Sequence, residues 1–437
     1  MPKKHPVGLE RAVKMMQDSM TQGSIFGETL DQLVAETEEE IKETYEKVHE
    51  VALHNQYKVL NSFREHHVSE QHLQGTTGYG YNDIGRDTLD EVYADVFGSE
   101  AALVRPQFIS GTHTISTALF GVLRPGDELL YVTGEPYDTL KEVIGIAGNG
   151  IGSLKEYKIG YDHVALDENG KIDIEAVLQK ITPATKMIAL QRSRGYSTNP
   201  SFTVDEIGEA IRAIKNVHPE IIAFVDNCYG EFVEKTEPTQ AGADLMAGSL
   251  IKNPGAGLAE TGGYIAGRAD LVEACSYRLT SPGVGAEAGA TQGNLRPMYQ
   301  GFFLAPHVVG EAVKGAIYTA ALLEKMAVST NPSWSQSRTD LIQQISFHEE
   351  EKMIKFIQMI QKYSPIDAYV VPVGGPMPGY ESDVIMAAGT FIQGASIELS
   401  ADGPVRSPYT VYLQGGLTYE HVKLAVTFAV KEMFELS

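Results

Sequence analysis

Lys252 lies in AGSLIKNPGAG (247–257) as the only cation of a small, glycine-rich stretch, with Ser249 three positions before it. Packing of that kind strips water from an ammonium, lowers its pKa and frees a nucleophilic amine, so Lys252 is a candidate Schiff-base former. Ser-x-x-Lys also belongs to penicillin-binding motifs, but neither LysThrGly nor SerAspAsn accompanies it. Upstream, FVDN (224–227) reads as an apolar strand that ends in an acid, Asp226. A carboxylate at a buried strand end needs a cation, a metal or a protonated ring nitrogen. Alternatively it caps the next turn. Earlier still, ISGTHT (109–114) sets glycine and hydroxyls ahead of a helical pattern, where free N–H groups and the helix dipole attract a phosphate. Ordinary N-capping explains Ser110 or Thr112 equally well. The glycines at 148, 150 and 152 place Ser153 where a dinucleotide fingerprint requires its third glycine, so that motif is discounted.

These residues need elements to hold them. Residues 29–63 carry Val34, Ile41, Tyr45, Val48, Ala52 and Val59 at helical spacing, which predicts a long amphipathic helix, or two abutting ones, packed on its own body or on a second copy. Residues 75–85 (GTTGYGYNDIG) read as a loop with aromatics in it. Strands are expected at 129–133, 187–190, 221–225, 245–247 and 264–266, with helices at 115–123, 139–147 and 204–215 between them. That alternation predicts an α/β domain whose parallel sheet presents ligands at the carboxyl ends of its strands. Long helices are expected at 308–326 and 340–361, then strands at 369–373, 386–391, 396–400 and 410–413 and a last helix opened by Thr418. The division expected is 1–74 for N-terminal helices on the body, 75–306 for the large domain and 307–437 for a small α+β domain.

The 35 Lys+Arg against 57 Asp+Glu give a net charge of −22, which argues against nucleic acid or an anionic membrane as partner. No apolar run approaches the roughly 20 residues of a membrane helix. Two cysteines, Cys228 and Cys275, suit a reducing compartment, and residues 1–8 lack the apolar segment of a signal peptide, so a cytoplasmic protein is expected. No carboxylate run has metal-ligand spacing, and His66, His67 and His72 read as surface histidines at a helix end.

In order along the chain stand a phosphate turn, the aromatic Tyr137, the acid Asp226 and, 26 residues further on, Lys252. Each meets one demand of pyridoxal 5'-phosphate: an anion cradle, a face for the ring, a partner for the pyridine nitrogen and an amine. Over roughly residues 75 to the end, the sequence resembles the fold-type I pyridoxal-phosphate enzymes of the cystathionine β-lyase/methionine γ-lyase group. Within that group it is most similar to the bacterial aluminium-resistance family. The resemblance rests on GYGYNDIGRDTLDEVYADVFGSEAALVR, FISGTHT, VDNCYGEFVE, GADLMAGSLIKNPGAGLAETGGYIAG and RSPYTVYLQGGLTYEH.

The resemblance implies a large domain with a mostly parallel seven-stranded sheet and a smaller C-terminal α+β domain. It makes Lys252 the Schiff-base lysine and Asp226 the partner of the ring nitrogen, with Ser249, Ser110, Gly111 and Thr112 about the phosphate and Tyr137 on the ring. It sends Tyr81 to the site of a neighbouring subunit, hence a dimer or tetramer, and gives Arg406 to the substrate carboxylate. Where the lyases carry an arginine two residues after that tyrosine, Asp83 stands here, and Arg86 is the nearest cation to replace it. A lengthened QRSRGYSTNP (191–200) adds Arg192 and Arg194 as possible substrate contacts. The implied activity is α-proton abstraction from a small, sulfur-containing amino acid followed by β- or γ-elimination. An aminotransferase or other fold-type I amino-acid enzyme, such as a racemase or aldolase, or a cofactor-binding protein of metal tolerance with little catalysis, are the alternatives.

Overall fold

The structure, a computed structural model, describes residues 25–436 except 196, 198 and 378–381. The polar start at 1–8 lies outside them. Short apolar runs joined by crossover helices form the central sheet: β1 (Ala101–Arg105), β2 (Glu128–Tyr131), β3 (Gly160–His163), β4 (Thr185–Gln191), β5 (Ile222–Asp226), β6 (Leu245–Ser249) and β7 (Gly263–Gly267). Their spatial order is β1-β7-β6-β5-β4-β2-β3. Strands β3, β2, β4, β5 and β6 run parallel, and β7 runs antiparallel to both its neighbours. Strands β5, β6 and β7 are buried along their whole length, as a sheet covered on both faces requires. The fold is α/β with a mostly parallel seven-stranded sheet.

A second sheet follows, of β8 (Ser329–Asn331), β9 (Gln343–Ser346), β10 (Val384–Ala387), β11 (Ser400–Pro404) and β12 (Thr410–Gln414), in the order β10-β11-β12-β9-β8 and antiparallel throughout. The helix Glu350–Lys362 lies on this sheet, and the helix Tyr419–Met433 lies on that helix. The long N-terminal helix spans Glu28–Glu65, close to expectation, and packs along the helix Leu295–Lys325. Gly310 permits the close approach, since a Cβ there would stand 3.4 Å from that of Ala52, and Tyr45 Oη donates to the Lys314 carbonyl at 3.0 Å.

Expected and observed elements differ locally, and of the strand expected at 396–400 only Ser400 lies in a strand, the first residue of β11. The expected division at 306/307 lies inside the helix Leu295–Lys325, which continues through Pro306 and packs along the helix Glu28–Glu65. The helix expected over 340–361 is a strand, β9, followed by the helix Glu350–Lys362: Leu341, Ile342 and Ile345 fit a helical period, but residues 343–346 pair with β12. Residues 369–373 form no strand; Tyr369, Val371 and Val373 are exposed.

Candidate active site

The carboxyl ends of β4, β5 and β6 meet in register at Gln191, Asp226 and Ala247, so the last residues of these strands and the turns after them build one floor. Asp226 closes β5 and is buried, and its Oδ1 accepts from the Cys228 N–H at 3.1 Å. Burial raises its pKa above the usual carboxylate range, and the Lys252 ammonium counters only part of that. Lys252 follows β6 by three residues, on a turn closed by the short 3-10 segment Asn253–Gly255, and its Nζ lies 3.9 Å above the Tyr229 ring. Burial pulls the lysine pKa down, but the acidic surroundings, with the Asp226 carboxylate among them, outweigh it and hold the amine above its ordinary value, the reverse of the lowering expected from its tight setting. Beside them the Cys228 thiol is pushed well up, first by burial and then by Asp226.

Ser110 caps the helix Gly111–Val122, accepting the His113 N–H at 3.0 Å. The N–H groups of Gly111 and Thr112, at the start of that helix, make no hydrogen bond among the described residues. A Cβ on Gly111 would lie 3.4 Å from Ser249 Cβ, 3.5 Å from Cys228 Sγ and 4.0 Å from Lys252 Nζ, so the glycine faces the lysine. Ser249 is fully buried and its Oγ has no partner among the described residues. Tyr137 Oη stands 3.2 Å from Thr112 Oγ1, which stands 3.3 Å from Thr139 Oγ1, while the Tyr137 N–H donates to Gln191 Oε1 at 3.2 Å. Burial drives the Tyr137 phenol well above its ordinary pKa, so it stays protonated. A cavity of about 460 Å³ joins Gly111, Thr112, Tyr137, Asp226 and Lys252 to a wall from the small domain.

The remaining expected residues lie elsewhere. Arg86 does not face the cavity. It is buried and all five of its N–H groups are engaged, on the carbonyls of Gly80, Glu287 and Gly289 and on Asp87, so it clamps the loop that carries Tyr81. Arg192 is likewise corrected: strand alternation turns Gln191 to the cavity and Arg192 away from it. Its guanidinium, fully buried, binds Thr339 and Asn227 at 3.2 and 2.8 Å, Glu234 at 2.8 Å and Glu237 at 3.3 Å. Gly230 makes room for it, since a Cβ there would lie 2.5 Å from Arg192 Cδ. Arg406 is exposed and lines, with Arg194, an adjoining cleft that shares Tyr137 and Gln191 with the main cavity. Tyr81 is 56 % exposed, stacked on Tyr79 with ring centroids 5.5 Å apart, and lies outside the cavity lining of its own chain.

Sequence reasoning missed Cys228 and Tyr229 as site residues. Their only signal is position, two and three residues after the strand-ending acid, where Tyr229 adopts a left-handed φ of 71° that turns its ring beneath Lys252. It missed also the polar small-domain wall, which no motif marks. Among the described residues no group of three or more His, Cys, Asp or Glu could hold a metal ion, and no helix is long and apolar enough to cross a membrane.

The family model described as methionine gamma-lyase matches residues 30–434. The chain belongs to that family. It is 59% identical over 421 residues to the uncharacterized protein YnbB of Bacillus subtilis, covering 96% of this chain and 99% of that one. A solved Listeria monocytogenes structure, provisionally described as a cystathionine beta-lyase involved in aluminum resistance, is 60% identical, with a TM-score of 0.91 over 92% of this chain and 100% of that one. The pyridoxal-5'-phosphate dependent protein YhfS of Escherichia coli shares the fold at 17% identity, with a TM-score of 0.60 over 89% of this chain and 97% of that one.

Proposed function

We propose that this chain is a pyridoxal-phosphate-dependent carbon–sulfur lyase acting on a small sulfur-containing amino acid. One observation carries the reading: the Ser249 side chain, whose buried Oγ has no partner among the described residues, and Lys252 Nζ stand on the side of Gly111 where a Cβ would point, at the start of a helix whose Gly111 and Thr112 N–H groups make no hydrogen bond among those residues. Donors without acceptors around a glycine form an anion cradle, and an amine stands at its edge. The residues fit the cofactor: Ser249, Gly111 and Thr112 would hold its phosphate, Lys252 its aldehyde carbon, Asp226 its ring nitrogen, and Tyr137 would face the ring.

When bound, the cofactor supplies an electron sink for the substrate Cα. The chain supplies the proton traffic. Asp226, fixed by the Cys228 N–H, is the charge that keeps a ring nitrogen protonated. Lys252 Nζ takes the proton from Cα and, as an ammonium, is the donor for the sulfur that departs with the electron pair of the broken C–S bond. Tyr137, protonated and tied to Thr112, orients the amino acid beside the lysine. The family match and the lyase description of the Listeria relative support a sulfur leaving group.

The same reading makes the active unit a homo-oligomer in which Tyr81, exposed on its own chain, serves the neighbouring site. The buried free thiols of Cys228 and Cys275 fit a reducing cytoplasm. The test is the full chain loaded with pyridoxal phosphate and given S-alkylcysteines and methionine without a keto-acid acceptor. Thiol, ammonia and keto acid are expected in equal amounts; amino-group transfer with no thiol released would refute the reading. Mixing inactive Lys252→Ala and Tyr81→Phe chains is expected to restore part of the activity through hybrid sites, and no recovery would contradict shared sites.

A further inference from the structure

Tyr229 stands three residues after the end of β5 in the left-handed region, with φ 71°, where a Cβ crowds the backbone. Gly230, the neighbour that could adopt such a φ freely, is not left-handed; it makes room for Arg192 instead. Hydrogen bonds on both sides fix the turn around the tyrosine. Asn227 Oδ1 accepts from Arg192 Nη1 at 2.8 Å, Asn227 Nδ2 donates to Glu237 Oε2 at 2.9 Å, and the Gly230 N–H donates to the Asn227 carbonyl at 3.0 Å. The Phe232 N–H donates to Glu237 Oε1 at 2.9 Å. A strained residue persists where its surroundings over-determine it in this way, and such residues gather at working sites.

What the strained turn delivers is a ring face. Lys252 Nζ lies 3.9 Å from the centroid of the Tyr229 ring, well inside the roughly 6 Å over which an aromatic face attracts a cation. Among the described residues Nζ makes no hydrogen bond or ion pair, so no donor–acceptor contact pins it and the ring face meets its charge. The distinction matters for a group that must move. An ion pair would fix the direction of the N–H bonds, whereas a ring face attracts the charge and leaves the donors unengaged. Asp226, Cys228 and Tyr137 also face the amine, from the end of β5, the turn after it and the turn after β2.

We propose that Tyr229 is a positioning residue whose ring face holds the Lys252 ammonium over the cavity floor between its two proton transfers. The proposal rests on the lyase reading above and deepens it. Lys252 becomes an ammonium when it takes the Cα proton, and that charge has to stay within reach until sulfur departs with the C–S electron pair and accepts the proton. Over the ring the ammonium is held without being neutralised, and it leaves the ring when the sulfur anion forms.

The first test uses the cofactor-free full chain. Lys252 is acetylated with acetic anhydride at about pH 8, and its label is read by mass spectrometry against that of the exposed Lys171. A cation–π contact at a desolvated site predicts that Tyr229→Leu raises the relative rate by about 5-fold or more, and that Tyr229→Phe, which keeps the ring face, stays within about 2-fold. Asp226, Cys228 and Tyr137 are the same in every chain, so the difference reads the ring. Tyr229→Gly, whose backbone suits φ 71°, raises the rate likewise, and alkylation of the buried Cys275 stays at the native level throughout. An unchanged rate in Tyr229→Leu and Tyr229→Gly, an equal rise in Tyr229→Phe, or a rise at Cys275 that matches the rise at Lys252 in both variants overturns the proposal. In the chain loaded with pyridoxal phosphate, kcat for S-methyl-L-cysteine falls about 5-fold or more in Tyr229→Leu with KM within about 3-fold, and a change confined to KM overturns it as well. The lyase reading fails separately: if the labelling follows these expectations but the loaded chain releases no thiol, Tyr229 keeps its hold on Lys252 and the reaction assigned to the site is wrong.

Discussion

Gly111→Ala separates a ligand cradle from a merely structural turn. The added Cβ meets Ser249 and Cys228 at 3.4 and 3.5 Å, ordinary van der Waals distances, and Gly111 is the first residue of its helix. The cofactor-free chain therefore tolerates the change, with a stability change of less than about 1 kcal/mol, toward stabilisation, because alanine loses less backbone entropy in a helix. With cofactor the methyl stands in the space the phosphate needs, against Ser249 and 4.0 Å from Lys252 Nζ. Displacing the anion from one N–H costs a charge-assisted hydrogen bond, about 1.5–3 kcal/mol, or about 10- to 150-fold in Kd. The assay pairs a thermal melt of the cofactor-free chain with an absorbance titration by pyridoxal phosphate. An affinity within about twofold of the native chain, at unchanged stability, would refute the cradle.

Other outcomes follow from the same geometry. Asp226→Ala is expected to keep measurable cofactor binding and lose about 100-fold or more of the lyase rate, since a fixed charge facing the ring is removed; an unchanged rate would end its assigned role. Arg192→Ala leaves Glu234 and Glu237 in a buried site without their cation and is expected to destabilise the chain by about 3–5 kcal/mol, seen as a lower urea midpoint. Glu231 is pushed up to about 8, chiefly by burial, so the folded chain holds its proton more tightly than the unfolded one. Its contribution is complete below the ordinary carboxylate range and is lost as pH rises toward 8. Glu231→Gln is therefore expected to flatten the fall in urea stability between pH 5 and 8, and an unchanged slope would contradict the shift.

Much of the floor was legible because it depends on residue type and chain order. An apolar strand ending in Asp226, a glycine turn at Gly111 and a lone lysine at Lys252 each carry their chemistry in the local sequence. The arginines were not legible, because what decides their role is which side of the chain they leave. Gln191 and Arg192 are neighbours, and strand alternation sends one to the cavity and the other into a buried acid cluster. Arg86 has the right charge near the right loop, yet two of the three carbonyls that engage it, those of Glu287 and Gly289, come from about two hundred positions away. The small-domain wall was hidden for a similar reason. Asp402 and Gln414 belong to different strands, and only the pairing of β11 with β12 sets them side by side.

Cofactor binding is assigned to Lys252, and that assignment can be tested directly. Borohydride treatment of the cofactor-loaded chain, followed by digestion and mass spectrometry, is expected to place the pyridoxyl phosphate label on the peptide that contains Lys252, and Lys252→Ala is expected to take no label at all. A label on another lysine, or full labelling of Lys252→Ala, would contradict it.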